Sequence, residues 1–241
     1  MDKVIIGNAT LYLADCREII NELTFDSIVC DPPYGLSKLT GKKWSRFAIQ
    51  KTKNLHSGGT WASKDIYRNL DWDDSSPCMQ FLLERNVPTM IFGGNYFANL
   101  PPSRKWIVWD KGEQFFRRPF AEAELCFCNF DGNVRIFKYA PDYMCINKPK
   151  VHPMQKPVAV MKFCISELPK GSGNIVCDPY MGSGTTGVAA VQMGRAFVGI
   201  EQQRKYFETA CERLDRVQAE YKNQFPEVRE MIEQKALFTT T

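Results

Sequence analysis

The sequence predicts an α/β domain built on a largely parallel sheet, and three observations carry that expectation. Short β-rich apolar runs alternate with segments of helical period. A glycine-rich turn lies between one such run and one such helix, at Gly182, Gly184 and Gly187. Acids stand at the ends of several runs, where open sheets of this type bind ligands beyond the carboxyl ends of their strands.

The runs fall at 9–13, 27–30, 89–92, 106–109, 125–127, 134–137, 174–177 and 196–200, each bounded by Gly, Pro, Asp or Asn. Helical periods separate some of them, at 17–23, 77–85, 158–168 and 186–193. A final helix is expected where Phe207, Ala210, Leu214, Val217 and Tyr221 share one face. At 241 residues and 44% hydrophobic, the chain can bury one core, so a single domain over 1–241 is expected. Asp2, Lys3, Asn8 and Asp15 interrupt what would have to be the apolar core of a signal peptide, and no run is long enough to span a membrane. The nine cysteines are odd in number with none at C-x-x-C spacing, and only His56 and His152 could assist them, so we expect reduced core thiols and no metal site.

Net charge is +4, but its distribution is uneven. Between 38 and 68 the chain carries Lys38, Lys42, Lys43, Arg46, Lys51, Lys53, Lys64 and Arg68 against the single acid Asp65, with Trp44, Phe47 and Trp61 interleaved. Glycines and serines break any period there, so this is a long basic loop. Such a loop either keeps the protein solvated or neutralises phosphates and offers stacking faces to bases.

The segment GNIVCDPYMGSGTTGVAAVQMG, 173–194, reads as strand, turn and helix. The G-x-G-x-x-G spacing alone is a weak signal. A helix amino terminus just after Gly184 offers free N–H groups to an anion, and Ser183, Thr185 and Thr186 add hydroxyls. Asp178 would repel a pyrophosphate and attract a cation. A zwitterion with ammonium and carboxylate on one carbon suits both features, and S-adenosylmethionine is such a ligand. Glu201 ends the next strand about twenty residues on, where a carboxylate can take both ribose hydroxyls; the alternative is an ordinary helix-start acid before QQRKYF.

A second strand end reads FDSIVCDPPYGLSK. Asp31, Pro32, Pro33 and Tyr34 supply a carboxylate, a carbonyl acceptor, a rigid backbone without N–H on either proline, and an aromatic face. That set suits a nucleobase amine: Asp31 and the Pro32 carbonyl take its two N–H groups, the lone pair localises on nitrogen, and Tyr34 stacks on the base. Read alone, the same four residues could be a stiff turn after a strand.

With DPPYG at 31–35, HPMQKP at 152–157 and DPYMGSGTT at 178–186, the sequence resembles the amino-methyltransferases that modify DNA, in the permuted β-type group where the catalytic tetrapeptide precedes the cofactor motif. The resemblance spans about 11–207 and implies a Rossmann-like methyltransferase fold with a mixed, mostly parallel sheet and helices on both faces. It implies S-adenosylmethionine as methyl donor and transfer to adenine N6, with cytosine N4 as the alternative, in a base flipped out of double-stranded DNA. A DNA-binding protein on a silent scaffold is the rival from another class. By the same resemblance Asp178, Pro179, Tyr180, Gly182, Ser183, Gly184, Thr185 and Thr186 line the donor, Glu201 its ribose, Lys156 its carboxylate side and Asp15 its adenine. Ala14 and Met154 depart from the family's usual glycine and threonine. Base recognition is expected from 38–68 and 112–150, with Lys38, Lys42, Lys43, Arg46, Arg117 and Arg118 contacting DNA. A cytoplasmic, nucleoid-associated protein of bacterial or phage origin is expected; a homodimer and a cognate restriction enzyme are partners this reading leaves open.

Overall fold

A Gly7-Asn8 turn joins two short apolar runs, and in a computed structural model of the chain these form a hairpin of β1 (Asp2–Ile6) and β2 (Ala9–Leu13). The residues described are 2–35, 79–116, 121–140 and 155–224. Strand β1 was not expected from the sequence. Its burial alternates only weakly, because it is an edge strand with Ile5 64% exposed.

Asp15 caps α1 (Cys16–Ile19), which tightens into a 3-10 turn at Ile20–Glu22. Strand β3 (Ser27–Cys30) follows, then α2 (Gln80–Leu83), β4 (Thr89–Phe92), β5 (Trp106–Asp110), β6 (Ala123–Cys128) and β7 (Arg135–Lys138). The last third is α3 (Val158–Ser166), β8 (Ile175–Asp178), α4 (Thr185–Gln192), β9 (Ala196–Glu201) and the long α5 (Arg204–Gln224). The periodic stretches thus become helices, although the one expected over 17–23 splits in two.

The strands form one mixed sheet in the order β1-β2-β9-β8-β3-β4-β6-β5-β7. Pairing is parallel from β2 to β4, whereas β1 and β6 run against their neighbours. Alternation within strands sends residues to two cores. Val29, Met90 and Phe92 face the side covered by α3, α4 and α5, while Ile28, Cys30 and Ile91 face α1 and α2. The seven cysteines among the described residues are free thiols, most of them buried in these layers. No helix among the described residues is long and apolar enough to cross a membrane.

Helix α4 crosses the sheet closely at Gly187, where a Cβ would stand 2.6 Å from the Phe197 ring and 3.1 Å from Leu214. Both neighbours are buried, so the contact cannot relax outward. Gly187→Ala should lower stability by about 1–3 kcal/mol through overpacking, despite alanine's better helix propensity, as measured by urea unfolding; an unchanged midpoint would show that the helix can lift away freely.

Candidate active site

Between β3 and β8 the chain's progress across the sheet reverses: from β3 it proceeds to β4 on one side, and from β8 to β9 on the other. Such a reversal opens a crevice at the carboxyl ends of the two strands. Asp178 ends β8 at this crevice and Asp31 follows β3, so both acids named from the sequence come to one rim.

On the β8 side, Asp178 is 2% exposed. Its carboxylate accepts the Tyr180 N–H at 3.0 Å and the Thr186 hydroxyl at 2.5 Å. Burial pushes its pKa up to about 7 against those two hydrogen bonds, with the Asp31 and Glu201 carboxylates adding to the rise. A buried carboxyl near neutrality gains most from an arriving cation. The turn after it needs left-handed backbone at Gly182 (φ 52°) and Gly184 (φ 80°), and Gly184 caps α4. A Cβ at Gly184 would lie 3.0 Å from Ala210 on α5, so the turn is packed from behind. Glu201 accepts N–H groups from Gly182 at 3.1 Å and Gln203 at 2.8 Å, joining the start of α5 to the glycine turn.

Arg213 was not foreseen. From α5 its guanidinium donates to the Ser183 carbonyl at 2.5 Å, the Ser183 hydroxyl at 2.8 Å and the Thr185 hydroxyl at 3.3 Å. The sequence shows it only as one arginine among several on a polar helix face. Asp15 holds the Arg17 N–H at 3.0 Å and pairs with the Arg17 guanidinium, so its visible work is capping α1.

The β3 side is a chain of alternating charges. Lys156 is 6% exposed and stands 2.6 Å from Asp31 and 3.0 Å from Glu124, which in turn lies 2.6 Å from Lys111. From the sequence Lys156 was expected at the carboxylate side of a donor; in the structure its ammonium pairs with these two acids, one residue before the Pro157 cap of α3. Burial drives Glu124 upward, but the Lys156 and Lys111 charges outweigh it and hold its pKa at about 2. For Asp31, burial raises the pKa, Lys156 pulls it back, and Glu124 raises it again. Glu124 and Lys111 were also missed from the sequence, where the faint signals are an acid inside the apolar run ELCFC and a lysine just after WIVWD.

Tyr34 donates its hydroxyl to Asp31 at 2.5 Å and accepts from Lys156 at 3.2 Å. The expected open stacking face differs from what is seen: the ring is 9% exposed, 5.2 Å from Tyr96 in a stacked arrangement. Gly93 (φ 68°) makes that close approach feasible, since a Cβ there would lie 2.2 Å from the Tyr34 ring. Tyr96 is the more open aromatic, 38% exposed. Lys38, Lys42, Lys43, Arg46, Arg117, Arg118 and His152 lie outside the described residues.

Fold and rim together define a Rossmann-like methyltransferase domain. Residues 102–212 match the family described as DNA methylase, N6_N4_Mtase. Type II methyltransferase M2.MboI of Moraxella bovis is 25% identical over an alignment of 260 residues that covers 90% of this chain and 92% of that protein. Type II methyltransferase M2.DpnII of Streptococcus pneumoniae is 42% identical over 64 residues, 27% of this chain and 24% of the relative. Among solved structures, the M1.HpyAVI–SAM complex aligns with a TM-score of 0.50 at 25% identity, over 86% of this chain and 99% of that one.

The raised pKa of Asp178 has a pH consequence. Its folded-state value exceeds the usual carboxyl value, so below about pH 4 it costs nothing, and stability falls as pH rises from about 4 through 7. Asp178→Asn removes that loss while its amide can still serve both partners. The variant without ligand should therefore gain on the order of 2–4 kcal/mol over wild type at pH 8 and little at pH 4, as read by urea unfolding at both values. Equal differences at the two pH values would show that Asp178 does not carry the shift.

Proposed function

We propose that this chain methylates adenine N6 in double-stranded DNA, using S-adenosylmethionine as donor and acting on a base turned out of the helix. The observation that carries the reading is the juxtaposition of two differently equipped carboxylates at the ends of the directly paired strands β3 and β8. One suits a cation and the other is held as an acceptor.

The donor suits the β8 side. The buried Asp178 carboxyl matches an ammonium, the start of α4 behind the left-handed Gly184 matches a carboxylate, and Glu201 stands one strand further on for ribose hydroxyls. Pro179, Tyr180, Gly182, Ser183, Thr185 and Thr186 would line this pocket, with Asp15 at its adenine end. When bound, S-adenosylmethionine supplies an electrophilic methyl on a sulfonium.

On the β3 side, Tyr34 and Lys156 hold Asp31 by one oxygen each, at 2.5 and 2.6 Å. A carboxylate has about four acceptor sites, so capacity is left for an amine N–H. Neither Pro32 nor Pro33 carries a backbone N–H, so nothing from them competes as donor, and the Pro32 carbonyl would take the second amine proton. With both N–H groups engaged, the amine's lone pair forms the new N–C bond. The C–S electron pair leaves with sulfur, and one proton leaves nitrogen.

Adenine N6 and cytosine N4 present the same two N–H donors to Asp31. The tyrosine and glycine after the prolines are the sequence feature that favours adenine. Lys38, Lys42, Lys43, Arg46, Arg117 and Arg118 would contact phosphates, which position the duplex without reading its sequence.

Asp31→Ala should slow single-turnover transfer of labelled methyl to duplex DNA by about two to three orders of magnitude, because the lost hydrogen bond strengthens as positive charge develops on nitrogen. Donor affinity by calorimetry should stay near wild type, since Asp178 and Glu201 lie on other strand ends. Nucleoside analysis of the product should give N6-methyladenine. N4-methylcytosine would move the target to the second base, and a near-wild-type rate for Asp31→Ala would defeat the mechanism.

A further inference from the structure

Proton disposal is the step that the proposed transfer leaves open. The methylated nitrogen must release one proton, and Asp31 is the base held beside it. Its two oxygens already meet the Tyr34 hydroxyl and the Lys156 ammonium. Charged or titratable groups surround it from several elements: Lys156 before α3, Glu124 on β6, Tyr34 on its own loop, Asp178 on β8 and Cys30 on β3, with Lys111 reached through Glu124.

If Lys156 had Asp31 as sole counter-ion, protonating Asp31 would strand a buried ammonium without a partner. Lys156 has a second carboxylate, Glu124, at 3.0 Å. Glu124 is itself fixed by Lys111 at 2.6 Å, from a lysine 8% exposed. The order along the array is thus Lys111, Glu124, Lys156, Asp31, with charges of alternating sign. The residue of the array that faces the amine can be neutralised while its neighbour stays paired.

Resting on the methyl-transfer reading above, we infer that Glu124 is a positioning residue, the standby counter-ion that keeps Lys156 charged and in place while Asp31 takes the amine's proton. In that step the nitrogen lone pair bonds the methyl carbon, the C–S pair stays on sulfur, and one N–H proton moves to an Asp31 oxygen. The carboxylic acid so formed gives the proton to water as product leaves. Lys156 and Glu124 exchange no proton; their pairing is what makes a neutral Asp31 tolerable.

A stability cycle tests this without any catalysis. Asp31→Asn is the neutral stand-in for protonated Asp31. Its cost in folding constant, from urea unfolding at pH 7, is compared in the native background and in Glu124→Gln. Any penalty from Lys111 losing its partner is common to both Glu124→Gln proteins and cancels in the cycle. We expect Asp31→Asn to cost at least tenfold more in the Glu124→Gln background; equal costs within twofold overturn the inference. Should the double variant not fold, adding Lys156→Met must restore folding, because the stranded charge is then gone, and failure to restore it is equally decisive against the idea. A merely structural role would also not separate binding from chemistry. Glu124→Gln should cut the single-turnover rate at saturating donor at least tenfold while donor affinity is unchanged, and a variant with full rate overturns the inference. Wild-type protein that transfers no methyl to DNA refutes the functional reading and with it the proton step. An additive cycle in a protein that does transfer methyl refutes the role of Glu124 alone.

Discussion

The parallel pairing of β3 with β8 is the constraint on which the rest of this structure depends. Paired residues such as Ser27 and Val176 are 149 positions apart in sequence, so nothing local holds the strands together. Asp26 does much of that work at the entry end. Its carboxylate accepts the N–H groups of Gly173 at 2.8 Å, Asn174 at 3.0 Å and Ile175 at 3.2 Å, which ties the entry of β8 to the entry of β3. At the exit end the same register delivers Asp31 and Asp178 to one rim. A slip by one residue would turn Ile28 and Cys177 into the opposite core and take both acids off the crevice.

The antiparallel strand β6 supplies what a purely parallel sheet could not. Because β6 runs against β4 and β5, it begins at the rim where its neighbours end. Glu124, its second residue, therefore stands among the strand-end groups, opposite Trp109, and Lys111 follows two residues beyond that tryptophan. Both ammoniums stand over aromatic rings: Lys156 Nζ lies 4.6 Å from the centre of Phe92, and Lys111 Nζ 5.2 Å from that of Trp109. Those faces offset part of the desolvation of two buried ammoniums. The polar array and the apolar layer under it are one piece of packing.

What the sequence disclosed follows the range of each interaction. The strand, turn and helix over 173–194 was legible because glycine spacing, strand and helix are all contiguous, and Gly187's tight packing is the reason for its third glycine. Asp31 and Asp178 were legible as strand-end acids. Lys111, Glu124 and Lys156 were not legible as a set, since an antiparallel register and a helix start bring them together. Tyr34 shows the same limit: an aromatic in a tight motif reads as a stacking face, yet a left-handed glycine 59 positions later decides how deep the ring sits. Strand β1 escaped notice although its Gly7-Asn8 turn is a hairpin signal, because an exposed edge strand lacks the strict alternation that marks a half-buried one.

At the rim opposite the carboxylates, the turn before β8 contains Gly171, exposed, in left-handed backbone (φ 86°), with no atom other than those of its own chain neighbours within 4 Å of where a side chain would begin. That turn is continuous with the short strand that carries Asp178, and a four-residue strand is only roughly 13 Å long. A reporter group inserted there would therefore sit beyond the entry end of the strand whose exit end carries Asp178, away from the carboxylate rim. The molecule thus offers an attachment point for surface immobilisation or fluorescence that leaves its working edge open.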